Sequence, residues 1–349
     1  MFQPLETTTP SLTTRREQPV RICVTPVKNE AWILDRFIQC NSTWADYIIL
    51  ADQGSTDDTR KIAARYNNVI LVENPDPTYS EESRQKLLLK HAREIPGPRF
   101  ILALDADEIL SANWMDSPEW ESVLQAPPGT IIRMQWVNIW PDFRHGWIHP
   151  KRIPFGFIDD GSPHTGSPIH SPRVPLPPEA PSLSLNDIKV LHLQYTNWER
   201  MKSKQRWYQC WERIHYPQKR PITLYRQYHE MDAAILKHRT PLQPEWLQGY
   251  LAQGIDMTSV QEAPYYHWDV EILQWLARYG ADYFRKVDIW DVDWHALAHL
   301  LHMDIPAERL RDPRTMFEKM VFLWLKQTQP DASLISVRLK QQLLALFGW

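Results

Sequence analysis

The stretch Phe100-Ile101-Leu102-Ala103-Leu104-Asp105-Ala106-Asp107-Glu108-Ile109-Leu110 organises the rest of the chain. Its first half is a short apolar run that reads as a buried strand, and it stops abruptly on three carboxylates within four residues. An unpaired carboxylate in the interior is costly, so such a cluster belongs at an open strand end or beside a cation. In an open α/β sheet, ligands bind in the crevice outside the carboxyl ends of the strands. An extended backbone turns alternate side chains to one side, which would put Asp105 and Asp107 together. Two hard oxygen donors so placed suit Mg²⁺ or Mn²⁺ carrying a substrate's phosphates. The same residues also fit a plain acidic turn from strand to helix.

Outward from this strand the pattern repeats. Arg21-Ile22-Cys23-Val24-Thr25, Tyr47-Ile48-Ile49-Leu50-Ala51 and Val69-Ile70-Leu71-Val72 have strand length and composition, and residues 99–104 form the fourth strand. Between them, residues 30–39, 55–66 and 81–93 read as helices, the second opened by the capping run Ser55-Thr56-Asp57-Asp58. Strands separated by helices imply βαβ units and a mainly parallel sheet, so this half is α/β. The second strand also ends in chemistry. Gly54 permits a tight turn, and Asp52 at the strand tip can accept hydrogen bonds from a base N–H or ribose hydroxyls. No Gly-x-Gly-x-x-Gly or Gly-Lys-Thr loop is present, which disfavours dinucleotide-dependent dehydrogenases and P-loop ATPases.

The chain has 349 residues, enough for one large domain or two smaller ones. A net charge of −3 gives no electrostatic case for a nucleic-acid partner. Cys23, Cys40 and Cys210 have no metal-type spacing, and a disulfide framework is not expected. No apolar run approaches the roughly 20 residues of a membrane span, and no leader precedes the first strand. A cytoplasmic location is the expectation. Residues 1–19 are Thr- and Pro-rich and read as a disordered tail. The main α/β domain is expected over 20–240 and a helical region over 241–349. The 17 tryptophans cluster after residue 113.

Residues 21–110 resemble the nucleotide-sugar half of family 2 glycosyltransferases, which have the GT-A fold. Val24-Thr25-Pro26-Val27-Lys28-Asn29-Glu30 is similar to that family's first strand and its Pro…Asn-Glu turn. Asp52-Gln53-Gly54-Ser55-Thr56-Asp57-Asp58-Thr59 resembles its Asp-Asp-Gly-Ser-x-Asp-x-Thr segment, with Gln53 in place of the second Asp. Leu104-Asp105-Ala106-Asp107-Glu108 looks like its metal motif, and Ser83-Arg84-Gln85 keeps the Arg of its Ala-Arg-Asn helix. The resemblance implies a GT-A sheet flanked by helices, and transfer of a sugar from a nucleotide-diphosphate donor to a glycan or other hydroxyl acceptor. It further implies an inverting reaction, dependence on Mn²⁺ or Mg²⁺, and a role such as cell-surface glycan synthesis. By carry-over, Thr25, Pro26, Glu30, Asp52 and Arg84 would line the nucleotide-sugar site, joined by Asp105. Asp105 and Asp107 would hold the metal-bound diphosphate.

Residues 141–181 are rich in Pro, Gly and His with little periodicity, longer than an idle loop should be. The family supplies an acidic residue from this half to deprotonate the acceptor, and Asp160 and Asp159 are the nearest candidates. Both also fit a structural role as caps of turns. A later strand, Asp187-Ile188-Lys189-Val190-Leu191-His192-Leu193-Gln194-Tyr195, carries His192, either a core histidine or a third metal ligand. Residues 197–215 form an amphipathic helix with Trp207 and Trp211 on one face and Lys202, Lys204, Arg206 and Arg213 interleaved. The indoles pack on the sheet and the cations face solvent, cover the donor diphosphate, or touch anionic lipid as a peripheral membrane contact. Beyond residue 241 the pattern is helical, over 244–252, 270–279, 294–302, 306–311, 315–326 and 334–347. Two other readings stay open: a glycan- or nucleotide-sugar-binding module without turnover, and a phosphohydrolase built on the Asp-x-Asp pair.

Overall fold

The computed structural model describes residues 18–76, 78–237 and 239–349. The tail expected over 1–19 therefore lies, as far as residue 17, outside the described residues. The first half alternates as its apolar runs require: β1 (Val20–Val27), α1 (Leu34–Asn41), β2 (Tyr47–Asp52), α2 (Thr59–Ala63), β3 (Val69–Glu73), α3 (Glu81–Glu94) and β4 (Arg99–Ala103). β3, β2, β1 and β4 lie side by side, all parallel. The register pairs Val27 with Asp52 and Val24 with Ala103. The turns carrying Glu30, Asp52 and Asp105 therefore leave the sheet at one edge.

At that edge the chain departs from the extended path expected of Asp105 to Glu108. β4 stops at Ala103, and Glu108 N–H closes a turn onto the carbonyl of Asp105 at 3.0 Å. The run continues as β5 (Glu108–Leu110), so the acidic cluster joins two strands and opens no helix. A 3₁₀ turn, α4 (Pro118–Gln125) and three long strands follow: β6 (Ile131–Ile139), β7 (His145–Ile158) and β8 (Ser182–His192).

β7 corrects the reading of residues 141–181 as irregular. It is antiparallel to β4 and to β6, and so joins the two halves of the sheet. Its prolines hid it: Pro154 sits opposite Arg133 beside a register shift, where a missing N–H is tolerated. Gly156 is required by close approach, because a Cβ there would lie 3.0 Å from the carbonyl of Ile101 and from side-chain atoms of Leu102 and Phe100. β8 pairs with both β6 and β5, setting Asn138 and Glu108 opposite His192. That row of three residues carries the far half of the sheet back to the acidic turn.

The helices pack in layers on this frame. α5 (Trp198–His215) begins at Asn197, whose side chain accepts the Arg200 N–H at 3.0 Å. α6 (Pro221–Tyr228) and α7 (Glu230–Lys237) follow, neither anticipated from periodicity, and the short β9 (Thr240–Pro241) adds to β7. Trp246 and Tyr250 of α8 (Glu245–Ala252) enter the same core as the strands, and the Tyr250 hydroxyl donates to the carbonyl of Leu110 at 3.0 Å. α9 (His267–Tyr279) and α10 (Trp294–Leu300) share a second core with α5, built from Trp207, Trp211, Ile272, Phe284 and Trp294. Residues 306–311 form only the 3₁₀ turn Ala307–Arg309. α11 (Met316–Gln327) packs Val321, Phe322 and Leu325 against Ile222 and Tyr225 of α6, and α12 (Ile335–Ala345) closes the chain with Trp349 in that cluster. The three cysteines are buried free thiols.

Candidate active site

Above the carboxyl ends of β1 and β4 lies a cleft of about 570 Å³, roofed by α5 and α9. Its floor is the acidic turn. Glu108 is fully buried and receives both terminal nitrogens of Arg173, at 2.7 and 2.8 Å. Arg173 also donates to Asp105 at 2.9 Å, and the Asp105 N–H donates to Glu108 at 2.8 Å. Burial pushes the Glu108 carboxyl up to about 8, although Arg173 opposes it. Burial acts on Asp105 in the same sense, but Arg173, Lys204 and Arg84 overcome it and hold that carboxyl below its ordinary value. Arg173 comes from the proline-rich segment after β7. It orients the acidic turn as a side-chain clamp, stacked over the rings of Trp136 and Phe155 at 5.4 and 5.1 Å.

His192 ends β8 beside Asp107, with its Nε2 at 3.7 Å from a carboxylate oxygen. Its Nδ1 donates to the side-chain carbonyl of Asn138 at 2.7 Å, and its ring stacks on Trp136 at 4.3 Å. Burial lowers its pKa to about 4, so the ring is neutral near pH 7. With the proton fixed on Nδ1, the lone pair of Nε2 faces Asp107. A histidine whose second nitrogen is held by an amide is the usual support for a metal ligand. No group of three or more His, Cys, Asp or Glu in a metal-holding arrangement occurs among the described residues. The donor set nevertheless fits a hard octahedral ion that takes its remaining ligands from phosphate and water.

Two cations face this turn without an ion-pair partner among the described residues. Arg84 lies over the ring of Tyr79 at 4.5 Å, with its Nε buried and unpaired. Lys204 of α5 donates to Gln194 at 2.9 Å and lines the same cleft. Of the four α5 cations noted from sequence, Lys202 pairs with Glu199 and Arg206 with Asp291. Glu30 lines the same cleft, taken up by Arg200 at 2.6 Å and by the indole N–H of Trp32 at 2.8 Å. Burial raises its pKa against the pull of Arg200. Arg200 is itself held between the rings of Trp32 and Trp268, at 4.8 and 4.6 Å.

The structure gathers Pro26, Glu30, Arg84, Asp105, Asp107 and His192 in one cleft. It does not bring the other sequence candidates there. Thr25 is fully buried within β1. Asp52 is 1% exposed and spent on the loop that follows it, accepting from Arg60 Nε at 2.5 Å and from Ser55 N–H at 3.2 Å. Its neighbour Gln53 lines the cleft instead. Asp159 and Asp160 lie at the other end of the sheet, because β7 runs antiparallel to β4 and ends beside Phe100. The Asp159 carboxylate is held between Arg93 and Arg99, at 2.9 and 3.0 Å. Asp160 is exposed next to it. A different carboxylate, Glu271 of α9, lines the cleft, held by Lys28 at 3.0 Å and the indole N–H of Trp207 at 2.6 Å. Nothing in the sequence around Glu271 distinguishes it from any other glutamate on an amphipathic helix.

A parallel half-sheet whose turns after β1 and β4 line one cleft, with His192 returned to the second turn by later strands, is a GT-A fold. Residues 22–117 match the family model described as glycosyl transferase family 2. Among solved structures, glucosyl-3-phosphoglycerate synthase from Mycobacterium tuberculosis, in complex with Mn²⁺, UDP and phosphoglyceric acid, aligns at 19% identity and a TM-score of 0.27, over 34% of this chain and 43% of that one. The same enzyme with Mg²⁺ and UDP aligns at 20% identity and a TM-score of 0.26, over 35% and 44%. 4-Diphosphocytidyl-2C-methyl-D-erythritol synthase aligns at 13% identity and a TM-score of 0.27, over 34% and 60%. The alignment spans under half the length of the mycobacterial synthase. No curated protein matches the sequence.

Proposed function

We propose that the protein is a metal-dependent glycosyltransferase that moves a sugar from a nucleotide-diphosphate donor to an acceptor hydroxyl, with inversion. The observation that carries the reading is that Asp105, Asp107 and His192 share one cleft with Arg84 and Lys204, two cations that make no ion pair among the described residues. Acidic and basic walls so placed match a diphosphate bound together with a divalent cation. Asp107, Asp105 and His192 would hold Mn²⁺ or Mg²⁺, which when bound supplies positive charge against the diphosphate. Arg84 and Lys204 bind its oxygens from the other side. Pro26 and Gln53 line the donor's base end, and Asp52 shapes the loop beneath.

The acceptor hydroxyl attacks the anomeric carbon on the face opposite the diphosphate. The new C–O bond forms as the bond to the diphosphate oxygen breaks, and the acceptor proton passes to Glu271. Glu30 and Glu271 are each held by one cation and one indole, and we assign the role to Glu271 because its side chain is the more open of the two, 29% against 16% exposed, while Asp159 and Asp160 are at the far end of the sheet. The acceptor is a glycan or another hydroxyl compound. Residues 20–240 form the transferase unit, with α8 packed into its core and α9 completing the cleft.

Nucleotide release from UDP-, GDP-, CMP- and dTDP-sugars, with and without Mn²⁺, tests this reading. Metal-dependent release from one donor supports it. Binding of a donor with no release, in the presence of a panel of acceptor glycans, would make the protein a nucleotide-sugar-binding module.

A further inference from the structure

α11, packed on α6, and α12 present an apolar face to solvent. Met316, Phe317, Met320 and Leu323 on α11, and Leu334, Ile335, Leu339, Leu343, Leu346 and Phe347 in and around α12, are each at least 51% exposed. Their spacing is helical, so each set forms a stripe on the side opposite the packed residues Val321, Phe322 and Leu325, or Val337. The stripes meet, since the rings of Phe317 and Phe347 are 6.3 Å apart. Single exposed leucines need no explanation, but ten large apolar side chains on two adjoining helices do.

The charges around the stripes decide what covers them. On a helical projection Arg338 and Lys340 flank the α12 stripe on either side, and Lys319 and Lys326 border that of α11. Arg338, Lys340 and Lys326 are exposed and make no ion pair among the described residues. α12 contains no acidic residue, and the one acid of α11, Glu318, is turned inward onto Arg285 at 2.9 Å. Neither helix presents an outward acid with which a second copy packed about a two-fold axis could pair these cations. An anionic bilayer offers phosphate and carboxylate headgroups at the rim and acyl chains beneath. None of the helices among the described residues is long and apolar enough to cross a membrane. A helix pair with this pattern lies in the interface plane.

We propose that the α11–α12 face is a docking surface for an anionic lipid bilayer, with Leu339, Leu343, Met320 and Phe347 entering the headgroup boundary and Arg338 and Lys340 contacting the headgroups. This holds independently of the transferase reading.

Sedimentation of the full chain with vesicles tests it, comparing phosphatidylcholine alone with phosphatidylcholine containing phosphatidylglycerol. Binding should require the anionic lipid and weaken with salt. Leu339→Glu with Leu343→Glu should abolish it, and Arg338→Glu with Lys340→Glu should weaken it at least tenfold, with unchanged circular dichroism and melting temperature. Equal binding of parent and variants would overturn the proposal, as would absence of binding to anionic vesicles. A concentration-dependent dimer in sedimentation velocity that Leu339→Glu with Leu343→Glu dissolves, without any vesicle binding by the parent, would assign the face to a second copy instead.

Discussion

The Nδ1 of His192 lies 2.7 Å from the side-chain oxygen of Asn138, and this hydrogen bond turns the other ring nitrogen toward Asp107. Asn138 reaches that position because β6 and β8 pair in parallel with these two residues in register. Removing a support of this kind typically lowers metal affinity about 10–100-fold. Asn138→Ala is therefore expected to weaken Mn²⁺ binding by that factor in a calorimetric titration with nucleotide present, while Asn138→Asp, which still accepts from Nδ1, retains most of it. Unchanged Mn²⁺ affinity in Asn138→Ala would take His192 out of the ligand set.

Arg173 is expected to matter more for folding than its place in a loop suggests. Its guanidinium donates to the wholly buried carboxyl of Glu108 and to the carboxylate of Asp105, which stays charged. Removing it leaves both without their partner, and breaking a buried pair in this way costs about 3–5 kcal/mol. Arg173→Ala should lower stability in urea denaturation by roughly that amount. Arg173→Lys keeps the charge but loses the fork, and should fall between the two. Parent-like stability in Arg173→Ala would show that the clamp contributes little.

Glu212 gives the clearest dependence on pH outside the cleft. Burial alone pushes its carboxyl up, but His170, 3.7 Å away, and hydrogen bonds from Lys219 and Tyr228 overcome this and bring it from 4.5 to about 2. A depressed carboxyl contributes stability that is fully present above the unfolded value and lost as pH falls through the folded one. The gain, roughly 3 kcal/mol by linkage, should be complete at pH 5–7 and disappear between about pH 4.5 and 2. The stability gap between the parent and Glu212→Gln should follow that curve. A gap that stays constant down to pH 2 would mean the depression is absent in solution.

The acceptor base separates the sequence reading from the structure most sharply. Glu271→Gln should leave donor binding intact and reduce turnover roughly 10²–10⁴-fold. Asp160→Asn should leave turnover within about twofold, since its carboxylate is at the far end of the sheet. If Asp160→Asn lost transfer and Glu271→Gln kept it, the placement of the base in α9 would be wrong.

Much of this could be read from the chain, and the parts that could not have physical causes. The parallel half was legible because each strand is a continuous apolar run and each functional turn follows one directly. Asp105 and Asp107 stood out for that reason. β7 was not, since Pro150, Pro154, Gly146 and Gly156 erase the period-two pattern that marks a strand. Missing β7 hid the direction of the chain at Asp159, and with it the fact that Arg93 and Arg99 hold that carboxylate. Asp52 was read as facing the crevice, but a strand tip can turn its side chain inward as easily as outward, and Arg60 from the next helix draws it in. Arg173, Asn138 and Glu271 carry no local signature at all. Their roles arise from pairings between segments distant in sequence, which no single stretch records.

The account rests on Asp107 belonging to a metal-dependent diphosphate site. Its most direct test is calorimetric titration of nucleoside diphosphates (UDP, GDP, CDP and dTDP in turn) into the parent and Asp107→Asn, each with Mn²⁺ and again with chelator. The parent should bind one nucleotide with a Kd that rises at least tenfold when Mn²⁺ is removed. Asp107→Asn should melt within a few degrees of the parent and bind that nucleotide only weakly, equally so with and without the metal. An Asp107→Asn variant that keeps the parent's affinity and its Mn²⁺ requirement would contradict the account.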